Sequence, residues 1–125
     1  MVTILLIILG GIIGTLARYF LAYGATIFTT FNILTVNYIG SFIIGACFEL
    51  FMFVKVSQDI EKFIFIGILG AFTTFSTYSL EAVKLFLAGE YRSGLWYIVK
   101  GNLFAILAVA LGMFAVRYLR ILLKS

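Results

Sequence analysis

Histidine and proline are absent from this 125-residue chain, and cysteine occurs once, at Cys47. Without histidine, and with a single thiol, no zinc cluster of His and Cys ligands, intrachain disulfide, or Ser-His or Cys-His nucleophile pair can be assembled. No catalytic residue is expected. Without proline, any helix interruption must be made by glycine and hydroxyl residues. Charge is scarce as well: 9 Lys and Arg and 5 Asp and Glu make up 11% of the chain. Soluble domains carry about 25% charged and roughly 45–50% apolar residues. Here 64% of residues are hydrophobic before the 12 glycines are counted. That leaves too little polar surface to wrap a 13.9 kDa globule in water. Lipid must solvate most of it, which predicts a multi-pass protein of the cell membrane with no nucleic-acid partner.

The charge map sets the spans. Uncharged stretches run over 2–17, 19–48, 63–80 and 101–116. A spanning helix needs about 20 mostly apolar residues, so the second stretch is too long for one crossing. Its polar seam is Thr26-Ile27-Phe28-Thr29-Thr30-Phe31-Asn32. The pattern predicts one all-α membrane domain over 1–125, with four helices near 2–23, 32–54, 61–88 and 94–120. The segment before the first apolar run lacks a positive side chain, so that run reads as a retained helix rather than a cleaved leader.

With four spans, both termini and the middle loop share one side of the bilayer. That side holds Lys55, Lys62, Arg117, Arg120 and Lys124, against Arg18, Lys84, Arg92 and Lys100 on the other. Five against four barely prefers cytoplasmic termini. Such balance fits weak signalling in a short protein or insertion in both orientations. Small residues four apart (Gly10 and Gly14, Ser41 and Gly45, Gly101 and Ala105) predict close helix packing and assembly.

Polar chemistry concentrates in the third span. Thr73, Thr74, Ser76, Thr77 and Ser79 fall within seven residues of an uncharged stretch, interleaved with Phe72, Phe75 and Tyr78. Gly67 and Gly70 let the backbone leave helical geometry cheaply. A break at mid-membrane frees carbonyls and amides, and transport proteins use such breaks as ion sites. A continuous helix with hydroxyls bonded back to its own carbonyls is the alternative. No Lys or Arg lies within the segment, so a multivalent anion finds no counter-charge. Phenyl edges carry the positive part of the ring quadrupole, Phe75 and Tyr78 share a face, and Ser76 and Thr77 add hydroxyl donors. Asn37, mid-way along the second span, contributes a carboxamide where an unsatisfied amide is costly. These make a narrow, uncharged, donor-rich path for a small anion. Core packing for the aromatics, and an interhelical hydrogen bond for Asn37, are the plain alternatives.

Three motifs then resemble one family, the Fluc (CrcB) fluoride channels. Gly10-Gly11-Ile12-Ile13-Gly14, followed by Arg18-Tyr19, resembles its opening signature. Asn37-Tyr38-Ile39-Gly40-Ser41 with Gly45 is similar to its second-span motif. The run Gly70-Ala71-Phe72-Thr73-Thr74-Phe75-Ser76-Thr77-Tyr78, then Ser79-Leu80-Glu81, resembles its most specific one. The resemblance implies a broken third helix and an antiparallel, dual-topology dimer with two fluoride pores, each built from both subunits. It implies an anion pathway through Asn37, Phe75, Ser76, Thr77 and Tyr78, and a structural role for Arg18. It further implies a structural sodium ion on the dimer axis, held by the main-chain carbonyls of Gly70 and Thr73. Partners would be fluoride, sodium, the lipid bilayer and a second copy or a related chain. The activity implied is passive export of cytoplasmic fluoride down its electrochemical gradient. One departure stands out: Tyr78 replaces the family's second phenylalanine, and its hydroxyl could bind the anion, narrow the path or point away.

The rival is a small four-span proton-coupled exporter, which would need an intramembrane carboxylate. The first span has none. Glu49 and Glu81 lie near span ends, where pairing with Lys55 or Lys84 is expected.

Overall fold

A computed structural model describes residues 1–24 and 32–125. Residues 26–31 of the predicted polar seam lie outside the described residues. Among the described residues, four helical runs are long and apolar enough to cross a membrane. The first is α1, Val2–Ala22, and the second is α2, Ile33–Phe51. The third run comprises α3 (Gln58–Lys62), a π-helical segment (Phe63–Leu69), α4 (Gly70–Phe72) and α5 (Phe75–Leu87). The fourth is α6, Tyr91–Lys124.

Local chemistry explains where the ends fall. Asn32 caps α2, its Oδ1 accepting from Thr35 N at 2.9 Å. Ser57 caps α3 by accepting from Ile60 N at 3.3 Å, and Asp59 and Glu61 sit in that first turn, where the helix dipole favours negative charge. The third run therefore begins ahead of residue 61, in the charged stretch that the apolar pattern had left outside. Gly89, at φ +77°, turns the chain after α5. That backbone geometry suits only glycine, and α6 starts almost at once, carrying Arg92 and Lys100 within its regular ladder.

Glycines bring the helices together in two close pairs. A Cβ on Gly14 would lie 2.1 Å from Ile68 O, and one on Gly10 would lie 2.7 Å from Phe63 O. Thus α1 rests backbone to backbone on the π-helical segment. Likewise a Cβ on Gly45 would lie 2.0 Å from Val109 O, and one on Gly112 2.0 Å from Phe42 O, which locks α2 on α6. Of the small pairs read from the sequence, Gly10 and Gly14 pack a helix on a helix, and so does Gly45. Gly101 instead receives a side chain, while Gly112, outside those pairs, supplies the second α2–α6 contact.

The ion pairs differ from expectation. Glu49 is buried and accepts from Arg117 through both oxygens, at 2.8 and 3.1 Å, rather than pairing with Lys55. Arg117 lies across the α2–α6 seam and offers a planar fork, which a lysine cannot. Glu81 accepts from the Tyr97 hydroxyl rather than pairing with Lys84.

The two glycine contacts generate a direct test. Gly45→Ala should destabilise the protein by about 1–3 kcal/mol, the usual range for overpacking. Gly11→Ala should be close to neutral, because nothing lies within 4 Å of its Cβ position. Survival of the detergent-solubilised protein through a thermal ramp, read by size-exclusion chromatography, measures the difference.

Candidate functional site

The third run breaks where threonines, not glycines, leave the helix. Gly70 keeps helical angles (φ −63°, ψ −34°), whereas Thr73 (φ −85°, ψ 152°) and Thr74 (φ −145°, ψ 117°) are extended. Gly67 lies upstream in the π-helical segment, against α1. The hydroxyls make the break self-supporting. Thr73 Oγ1 donates back to Leu69 O at 3.0 Å, and Thr74 Oγ1 accepts from Thr77 N at 3.3 Å as the N-cap of α5.

Asn37 completes the break from the neighbouring helix, where it lies in the second turn of α2 (Ile33–Phe51) rather than mid-way along the span. Its Nδ2 donates to Thr74 O at 3.1 Å while its Oδ1 accepts from Thr74 N at 2.9 Å. The carboxamide thus replaces, for one residue, both partners that the helical ladder would have supplied. The amide nitrogen carries two protons, so one remains beyond the Thr74 bond.

Beside this clasp lies a cleft of about 330 Å³, walled by α2, the third run and α6. Asn37, Gly70, Thr73, Thr74, Phe75 and Tyr78 line it with Ser41, Asn102 and Ala105, and none of its lining residues is charged. Phe75 forms its outer lip and is 74% exposed in the single chain. Tyr78 is buried at 6%, its ring 5.5 Å from that of Phe75. The Tyr78 hydroxyl is engaged by α6: it donates to Ile98 O at 3.0 Å and accepts from Asn102 Nδ2 at 2.8 Å.

The break therefore gathers Asn37, Gly70, Thr73, Phe75 and Tyr78 around one space. Ser76 and Thr77 are not among its lining residues. They join it through Thr74, whose Oγ1 lies 3.3 Å from Ser76 Oγ and 3.2 Å from Thr77 Oγ1. Arg18 stands apart, half-buried near the end of α1 and outside the cleft lining.

The break also exposes acceptors suited to a hard cation. In an unbroken helix, Thr74 N–H would bond Gly70 O and Thr77 N–H would bond Thr73 O. Both amides are turned to side-chain oxygens instead, which leaves those two carbonyls without their ladder donors. Among the described residues no group of three or more His, Cys, Asp or Glu could hold a metal. A cation here would rest on neutral oxygens, the ligand type hard cations accept.

Sequence reasoning missed two members. Thr74 sat inside the quoted run, yet its backbone role needed the partner Asn37 to be seen. Asn102 was overlooked: it opens the uncharged stretch of the fourth span, two residues beyond Lys100, yet the cost of an unsatisfied amide applied to it as well.

Residues 5–113 match the family described as CrcB-like protein, Camphor Resistance (CrcB). The chain is 41% identical over 123 residues to a protein of Ruegeria sp. (strain TM1040) named fluoride-specific ion channel FluC, covering 94% of this chain and 96% of the relative. A Shewanella frigidimarina protein of the same name is 40% identical over 122 residues, covering 93% and 91%. One of Parabacteroides distasonis, also so named, is 35% identical over 117 residues, covering 90% and 91%. An all-helical, multi-pass chain that matches over nearly its whole length belongs to the CrcB family.

Proposed function

We propose that this protein is a passive, fluoride-selective channel that works as an antiparallel dimer. The observation that carries the reading is the uncharged cleft at the break of the third run, where Asn37 and the Phe75 and Tyr78 rings meet. A fixed cation would hold an anion too tightly for rapid release, whereas conduction needs binding that is favourable yet weak. Ring edges and amide protons supply partial positive charge only. Fluoride is smaller and more strongly hydrated than chloride, so its water must be replaced by several close donors in a space too narrow for the larger halide. Fluoride enters acidified cells as the neutral acid, dissociates in the cytoplasm and is trapped there. The inside-negative potential then assists its exit by ~2.3 kcal/mol per charge per 100 mV.

Two features support a second copy of opposite orientation. The balance of Lys and Arg across the spans, five against four, barely favours one direction. Phe75, at the lip of the cleft, leaves most of its ring uncovered by its own chain, as a pathway shared between subunits requires. The residues fit a sodium ion at the Gly70 and Thr73 carbonyls, which would fix the broken backbone and take no part in conduction itself. A proton-coupled exporter is less well supported. Its carboxylate would have to be Glu49 or Glu81, and these are engaged by Arg117 and Tyr97.

Efflux from liposomes reconstituted with the purified chain, followed with a fluoride electrode, tests the function. A channel gives pH-independent efflux that requires a potassium shunt; obligatory proton exchange would indicate a carrier instead. Phe75→Ile should abolish fluoride flux while leaving the assembly intact on size-exclusion chromatography. Replacing sodium by lithium or a large organic cation during purification should weaken the dimer or its conduction. Indifference to that exchange would count against a cation at Gly70 and Thr73.

A further inference from the structure

Tyr78 and Asn102 place two strong polar groups beside the cleft, and neither offers its proton to it. The phenol proton goes to Ile98 O at 3.0 Å. The Asn102 amide nitrogen donates to Tyr78 Oη at 2.8 Å and to Ile98 O at 2.9 Å, which commits both of its protons. The ring is seated by the absence of a side chain at Gly101, where a Cβ would stand 2.4 Å from Tyr78 Cε2. Tyr97 covers the ring by stacking at 5.4 Å and 17°.

Resting on the fluoride-channel reading, we infer that Asn102 is a positioning residue for the anion pathway: it ties the Tyr78 hydroxyl to the α6 backbone, so that only the ring of Tyr78 faces the cleft. A phenol turned inward would act in two unwanted ways. Its oxygen lone pairs repel an anion, and its proton would bind a small hard anion strongly enough to slow release. Ile98 O takes the proton and Asn102 occupies a lone pair, so both effects are directed away from the path. Electrostatically, the tyrosine then presents to the cleft what a phenylalanine would, the positive ring edge. Gly101 completes the arrangement by letting the ring approach α6 closely enough for these bonds to form.

A double-mutant cycle in reconstituted liposomes tests this. Asn102→Leu should lower fluoride efflux on the order of tenfold, since small misplacements in a narrow site cost that much or more, and should reduce the fluoride-over-chloride preference. Asn102→Leu added to Tyr78→Phe should cause no further loss beyond the Tyr78→Phe level, because no hydroxyl then needs holding. Gly101→Ala should also lower flux, but Tyr78→Phe should not rescue it, since the added methyl meets a ring carbon rather than the hydroxyl. Asn102→Ala gives the same cycle should the leucine variant fail to assemble. Equal losses from the Asn102 substitution in the Tyr78 and Tyr78→Phe backgrounds, or no loss in either, would overturn the inference while leaving the channel reading intact. Absence of fluoride efflux from the unsubstituted chain would overturn both.

Discussion

Two hydrogen bonds between Asn37 and the backbone of Thr74 decide the character of this protein. A break in a helix at mid-membrane strands polar groups in a medium with no water to satisfy them, at several kcal/mol for each one left alone. Thr74 presents both an amide and a carbonyl, and a carboxamide has the matched donor and acceptor that can meet both. An ionised aspartate has no donor, and a lysine no acceptor. Everything else at the cleft follows from that clasp. The Gly70 and Thr73 carbonyls are released from the ladder, α5 restarts with Thr74 as its cap, and the Phe75 and Tyr78 rings swing to the side of the break that faces α2 and α6.

The clasp in turn depends on how near α2 stands to the third run. Gly40 makes that approach possible: a Cβ there would lie 2.3 Å from Thr73 Cγ2. Gly45 and Gly112 hold α2 against α6 on its other flank. In lipid, helices gain little by burying apolar side chains against one another, so close backbone packing and interhelical hydrogen bonds carry the association. The glycines serve less to loosen the backbone than to remove side chains from contacts that must be short.

That distinction separates what the sequence made legible from what it did not. Apolar run length and charge placement located four spans, because those properties belong to each residue by itself. Interleaved hydroxyls and rings located the break within a few residues, and the helix does break among them. Its assignment to the neighbourhood of Gly67 and Gly70 followed from glycine's freedom, yet the residues that leave the helix are Thr73 and Thr74. Hydroxyls can rebuild lost bonds and glycine cannot: Thr73 Oγ1 donates to Leu69 O and Thr74 Oγ1 accepts from Thr77 N within the run itself, and only the two Asn37 bonds need the partner helix. Pairing was the least legible. Glu49 meets Arg117, 68 residues away, because α2 lies along α6, and no local spacing rule reaches that far.

Exposure in a lipid-solvated chain must be weighed differently from exposure in water. The apolar surface of α1 and α6 is at home against acyl chains, so the exposed Leu and Ile side chains there indicate nothing about partners. Polar exposure within an uncharged stretch is the informative kind. Ser76 and Asn102 are both exposed in the single chain, close to the clasp and the cleft. Ser76 Oγ already meets Thr74 Oγ1 at 3.3 Å and both Asn102 amide protons are bonded, so what hydrocarbon would strand is the remaining capacity of the hydroxyl and the Asn102 carbonyl oxygen, at a cost that a membrane protein ordinarily avoids. A second protein surface, or water admitted along a shared pathway, removes that cost. Phe75 points the same way only because it stands beside them: a lone exposed phenyl ring in lipid would carry no such meaning. These two polar side chains add to the proposal of a pathway completed by another subunit, with the Phe75 lip marking where that subunit would meet the anion.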